Sequence, residues 1–343
     1  MSDTLLRRLT AQQLTGPPAR GPVEVAHRLL AIQAQDARGA RLAVRARTRG
    51  VTGADIDHAL TEERSLVITW CNRGTLHLVA SEDYPWLQAL TTPPLVTAST
   101  RRLAQEGLPP AVAERAIEIV RRALTDDGPL TREALRDRLQ RADIPVAGQA
   151  LIHVLFRAAI EGLVVRGPLI GRRHAYVLVR DWLPDPVETV DRDAALAELA
   201  RRYLSGHGPA DERDLARWAG LPLRDARAGL SAIAGELRDE PGGLVDLRAR
   251  GRKGRVPPPR LLGPWEPVLV GWSSRTPVLG EHDAKVVTGG LFRGFAMVGG
   301  RGVATWRLTD RAVTIEPLGP ISDADARALR DDAAALTRFL GCD

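Results

Sequence analysis

Apolar residues recur at helical spacing from residue 22 to 34, where Val23, Ala26, Leu29 and Leu30 form one stripe and Pro22 suits the first helical position. The same spacing predicts helices over 40–48 and 53–61, the latter opening at Thr52-Gly53-Ala54-Asp55. The period then changes. Residues 65–79, SLVITWCNRGTLHLV, alternate as strand and hairpin.

A repeat follows. Residues 124–139 read LTDDGPLTREALRDRL and residues 204–219 read LSGHGPADERDLARWA. Leu124, Gly128, Pro129, Arg132 and Leu135 fall opposite Leu204, Gly208, Pro209, Glu212 and Leu215, at a constant offset of 80. Each copy reads as helix, Gly-Pro turn, second helix, short break (Ile144-Pro145, Leu221-Pro222) and third helix, over 148–161 and 224–235. Short extended runs come next: Leu163–Arg166 and His174–Val179 in one copy, Glu236–Arg238 and Gly243–Leu247 in the other. Three helices and a hairpin make the winged-helix pattern, and residues 1–100 read as a more divergent first copy.

From Arg248 the texture changes. Residues 248–255 are basic and glycine-rich, and three prolines follow at 257–259, as in a linker or exposed loop. Beyond it, Val268–Val270, Lys285–Val287, Gly294–Val298, Val303–Trp306 and Ala312–Ile315 read as strands, with a tight hairpin turn at Gly299–Gly302. An amphipathic helix over 322–340, opened by Ser322 or Asp323, closes the chain. The expected fold is therefore α+β: three tandem winged-helix units (1–100, 101–185, 186–255) and a small β-rich C-terminal domain (256–343).

Composition narrows the function. With 343 residues, 44% of them hydrophobic, and no run of ~18 apolar residues, the chain reads as a globular protein expected in the cytoplasm. Its two cysteines, Cys71 and Cys342, cannot form a four-cysteine cluster or a zinc finger, and its seven histidines show no metal-ligand spacing, so neither metal nor cofactor is expected. A net charge of +6 suits a polyanion partner, although 46 of the 48 basic residues are arginine, a bias that GC-rich coding also produces.

The candidate chemistry lies in Ile32-Gln33-Ala34-Gln35-Asp36. Within a helix, residues two apart point nearly opposite ways, so Gln33 and Gln35 converge only if the helix ends near Ala34 and the chain turns extended. The bland reading is a polar helix end, with Asp36 capping the next helix. Further along, Arg73-Gly74-Thr75-Leu76-His77 reads as strand, and alternation puts Arg73, Thr75 and His77 on one face. His77 is either a structural histidine or a substrate contact, and Trp70 reads as core. Arg250, Arg252 and Lys253 of the basic loop and Arg301 of the hairpin are the candidate contacts for a polyanion, against the bland readings of a solvated linker and an ordinary polar turn.

HRLLAIQAQDARGA, TWCNRGTLHLVASEDYPWL and GFAMVGGRGVATWRL together resemble the AlkZ and AlkX superfamily of bacterial winged-helix DNA glycosylases, over nearly the whole chain. The AlkX branch has Asp at the third position of the glutamine motif. Gln35 stands there in this chain, as in the AlkZ branch. The tail departs from the family pattern at Gly271–Arg275, where a more polar Asp-Arg pair is expected.

The resemblance implies cleavage of the N-glycosidic bond of N7-alkylguanine, as bulky adducts or interstrand crosslinks in double-stranded DNA. It also implies a role in self-resistance to a genotoxic natural product. The catalytic pair it implies is Gln33 and Gln35, with Gln35 holding the water and Gln33 orienting it or touching the sugar. An enzyme that also cuts the strand needs an amine, and the only lysines are Lys253 and Lys285, so a monofunctional enzyme is expected; nothing in the sequence suggests an obligate dimer, and a monomer is expected. A winged-helix transcription regulator and a drug-sequestering protein without catalysis are the alternatives. The apolar third helices of the repeats argue against base-specific readout.

Overall fold

Gly-Pro turns and capping side chains fix the repeat. The computed structural model describes residues 1–183, 191–251 and 254–341. In the first copy Thr131 accepts a hydrogen bond from the Ala134 amide and starts helix Arg132–Arg141. In the second, 80 residues on, Asp211 accepts from Asp214 and starts helix Glu212–Ala219. Each copy runs helix, helix, helix, hairpin: Pro110–Asp127, Arg132–Arg141, Ala150–Ile160 and the strands Val164–Ile170 and Arg173–Leu178; then Arg192–His207, Glu212–Ala219, Leu223–Ala232 and the strands Leu237–Glu240 and Leu244–Leu247. After each Gly-Pro turn the chain adds a short edge to the second hairpin strand, Leu130 opposite Tyr176 and Ala210 opposite Val245.

Contacts divide the chain into two compact units, Asp57–Arg192 on the one hand and Met1–Ile56 with Asp193–Asp343 on the other. The boundary at 56 falls inside the segment expected as 1–100. In the unit Asp57–Arg192, strands Leu66–Cys71 and Thr75–Ala80 pair antiparallel, and Ile68 sits opposite Arg166 of the next hairpin. One face of Leu66–Cys71 carries Trp70, which meets Phe156 edge-on at 5.9 Å and stacks with Tyr176 at 6.5 Å.

In the other unit, strands Arg260–Leu262, Gly294–Val298, Arg301–Thr309 and Ala312–Pro317 form an antiparallel sheet. Helix Asp323–Phe339 covers it, burying Leu329 and Leu336 against Leu42, Leu261, Ala296, Ala304 and Trp306. Ser322 caps that helix on the Asp325 amide. Gly299 and Gly300, both at positive φ, close the hairpin in two residues, as a primed turn requires. The expected strand Val268–Val270 is instead a helical turn, Pro267–Val270, and of Lys285–Val287 only Val287 is extended, pairing with Phe292 after the turn Asp283–Val286. Apolar runs this short satisfy either geometry, and Pro267 at the first helical position favours the turn.

Candidate active site

The glutamine segment is set by an early helix ending. Helix Pro22–Leu29 stops at Leu30, whose φ of +63° and ψ of −47° close a γ-turn, the Ala31 amide donating to the Leu29 carbonyl at 2.8 Å. This conformation is rare and strained for a side chain like leucine, and full burial of Leu30 holds it in place. The expected helix over 22–34 is thus five residues too long. Ile32–Gln33 is extended, so helical twist does not separate the two glutamines. They differ in environment: Gln33 is 6% exposed, whereas Gln35 lies open to solvent.

Asp36 takes the capping role, accepting from the Gly39 amide at 2.8 Å to start helix Ala37–Arg45. Gly39 has a second duty. A Cβ there would stand 2.5 Å from the Pro264 carbonyl, so only glycine lets the helix start lie against that loop. The buried guanidinium of Arg47 ties the same region together, meeting Glu266 at 2.5 Å, the Gln12 carbonyl at 2.7 Å and the Ala43 carbonyl at 2.8 Å.

Arg73 is not on a strand. Asn72-Arg73-Gly74 forms the hairpin turn, with positive φ at Asn72 and Gly74, and the strand begins at Thr75. Thr75 and His77 therefore share a strand face without Arg73. The pairing partners Cys71 and Thr69 lie on the same face. The Thr75 hydroxyl is buried and has no hydrogen-bond partner among the described residues.

His77 is 2% exposed, with Nδ1 2.9 Å from the Thr75 carbonyl. A carbonyl only accepts, so Nδ1 carries the proton and Nε2 presents a lone pair. Burial first, and then the positive charge of Arg73, lower its pKa to about 3 against the opposing pull of the Thr75 carbonyl. His77 is thus a neutral acceptor and not an acid.

The basic candidates divide. Arg250 is turned inward. Its guanidinium meets Asp246 at 2.7 Å and the Ser205 carbonyl at 3.2 Å, and it also binds the Leu204 carbonyl, so it holds a helix end and the expectation of a DNA contact is corrected. Arg252 and Lys253 lie outside the described residues. Arg301 opens its strand directly after the glycine turn and is exposed. Arg275, at the point of departure from the family pattern, pairs with Asp283 at 2.7 Å.

Comparison with known proteins matches this arrangement to one family. The model described as DNA glycosylase AlkZ-like matches residues 26–339. An interstrand DNA cross-link repair glycosylase of Streptomyces sahachiroi is 27% identical, over 93% of this chain and 90% of that protein. The solved structure of Streptomyces sahachiroi DNA glycosylase AlkZ superposes with a TM-score of 0.78 at 24% identity, covering 98% of this chain and 96% of that one, and so shares its fold. The match spans the glutamine motif, the repeats and the β-rich tail, and this chain belongs to the AlkZ-like DNA glycosylase family.

Proposed function

We propose that the protein is a monofunctional, metal-independent DNA glycosylase that hydrolyses the N-glycosidic bond of N7-alkylguanine, interstrand crosslinks included, and that it acts as a monomer. The observation that carries this reading is the family match over residues 26–339, with Gln33 on a short extended segment near its start and exposed Gln35 two residues on. The crosslink is the substrate named for the Streptomyces sahachiroi relative, and a bulky lesion from a genotoxic natural product, in the cytoplasm of its producer, is the matching substrate here. The three helix-and-hairpin units are read as winged helices that bear on duplex DNA.

The chemistry suits amides. Alkylation at N7 makes the base cationic, so it departs as a neutral molecule without a strong acid. What remains is to place a water and to support positive charge growing on the sugar. A glutamine carbonyl accepts a hydrogen bond from the water and its NH₂ group donates one. Exposed Gln35 is the residue that holds the water, and buried Gln33 orients it or meets the sugar. Thr75 and neutral His77 are read as substrate-side contacts. Arg73 in its turn and exposed Arg301 are read as DNA contacts, as are Arg252 and Lys253, whereas Arg250 is left out.

The test is base release from duplexes carrying one N7-methylguanine or one N7 crosslink. Gln35→Ala is expected to slow release by about 10²–10³, the usual effect of losing one positioned polar group. Because Gln35 is exposed, its melting temperature should stay within about a degree of the parent. Borohydride should trap no enzyme–DNA adduct. Tight DNA binding with no base released from either duplex would favour the DNA-binding regulator or the sequestering protein.

A further inference from the structure

The two copies of the repeat can be compared position by position. Helix Pro110–Asp127 and helix Arg192–His207 hold the same place in them, 80 residues apart. In the earlier copy the last turn faces solvent: the Arg122 side chain is 71% exposed, and Thr125 and Asp126 are exposed beside it. In the later copy Arg202, Ser205 and Gly206 stand at these positions. The Arg202 side chain is 22% exposed, Ser205 is half-buried and Gly206 is buried. The winged-helix pattern is common to both copies, so it does not account for the covered turn. A neighbour particular to the second copy does.

That neighbour is the end of helix Pro22–Leu29, just before the glutamine motif and within the same unit. The last carbonyls of a helix lack partners inside it. Here Arg202 donates from Nη2 to the His27 carbonyl at 2.9 Å. Arg28 reaches the other way, donating from Nη1 to the Ser205 hydroxyl at 2.8 Å. Gly206 lies against the next carbonyl: a Cβ there would overlap the Arg28 oxygen and stand 3.3 Å from the Leu29 Cα. Gly206 is inside its helix and its φ is not in the left-handed region, so conformation does not call for glycine. The close approach does. The same helix is anchored on its other side, the Tyr203 hydroxyl donating to the Gly271 carbonyl and the Trp272 indole to the His207 carbonyl, both at 2.8 Å.

We infer that the last turn of helix Arg192–His207 is a clamp on the glutamine segment, with Gly206 and Arg202 as positioning residues for base release. The inference rests on the glycosylase reading and adds residues to its machinery. The turn at Leu30 is unfavourable for leucine, and such a turn persists where its surroundings over-determine it. The clamp supplies two of those constraints, at the carbonyls of His27 and Arg28. Ala31, Ile32 and Gln33 follow directly and are all buried, so a shift at the turn is passed on to the glutamines rather than absorbed in a loop. Placing a water beside a sugar is sensitive to such a shift, since a misplacement of about 1 Å can cost about 10²-fold in rate. One helix of the third repeat unit thereby serves the catalytic segment, a duty its counterpart in the second unit does not have.

The experiment measures release of N7-methylguanine from a duplex by Gly206→Ala and by its counterpart in the other copy, Asp126→Ala, below the melting transition of each. Gly206→Ala is expected to lower kcat by about 10–100-fold and to leave KM within about twofold, because the arginines read as DNA contacts stay in place. Asp126→Ala is expected to change neither. A kcat equal to the parent's, a loss carried by KM, or an equal loss in Asp126→Ala overturns the inference and leaves the glycosylase reading intact. Should Gly206→Ala fail to fold, Arg202→Met and Arg202→Lys carry the test. Met keeps the apolar stem without the donor and is expected to lower kcat by about tenfold, whereas Lys can still donate to the His27 carbonyl and should restore most of it. A Met variant no slower than the Lys variant overturns the clamp. No release by the parent protein overturns the glycosylase reading, and the inference with it.

Discussion

At the residue scale, two buried histidines define how the protein responds to acid. His77 and His207, one in each unit, are both lowered to about 3, burial being the largest cause in each case. An unfolded histidine titrates near 6.5, so between about pH 6.5 and 3 the unfolded chain binds protons that the folded chain refuses. The stability contributed is therefore complete above about pH 6.5 and falls as pH drops towards 3, by about 1.4 kcal/mol per pH unit for each histidine. Urea midpoints should hold level from pH 7.5 to about 6.5 and fall from there to pH 4, and His207→Phe should flatten part of that slope. Base release should show no limb near pH 6.5 attributable to His77. A limb that disappeared in His77→Gln would mean that the imidazole titrates and that its lone-pair role is wrong.

The element that matters most is helix Ala37–Arg45, because its first turn sets the end of the glutamine motif. Asp36 caps it and Gly39 lets it meet Pro264. Asp36→Ala is expected to cost about 1 kcal/mol, with Asp36→Asn restoring most of it, since either side chain accepts from an amide. If Asp36 acted as a proton donor or acceptor, Asn would restore the fold without restoring base release. Gly39→Ala must push the helix start from the Pro264 carbonyl, an overpacking expected to cost about 1–3 kcal/mol. Its base release should fall beyond what the lower stability explains, because Gln35 moves with the helix. Thermal melts and single-turnover rates on the same preparations separate the two effects.

Across the whole molecule the net charge of +6 arises from arginines with different duties. Arg8, Arg47 and Arg250 are spent inside, on Asp214, Glu266 and Asp246, so the formal charge overstates what faces DNA. Arg301 is the exposed counter-example, presented by a two-glycine turn. If it meets a phosphate, Arg301→Ala should weaken binding to any duplex by a similar factor and reduce the slope of log affinity against log salt by about one. A titration series in rising salt reads this directly. Arg250→Ala should instead lower the melting temperature, because it strips a partner from buried Asp246.

Local pattern was enough for most elements. The 80-residue repeat with its capping residues, the Gly299-Gly300 hairpin, the closing helix and the capping role of Asp36 all depend on interactions within a few residues, so the chain alone determined them. The glutamine motif was visible for the same reason. Where the helix before it ends was not, because the turn at Leu30 is locally unfavourable and exists only through burial by distant segments. Distant segments also decided that Arg250 turns inward, that His77 is neutral, and that Gly39 lies against Pro264. Desolvation, close approach and the partner of a long side chain are set by residues far away in sequence, and only the tertiary structure brings those together.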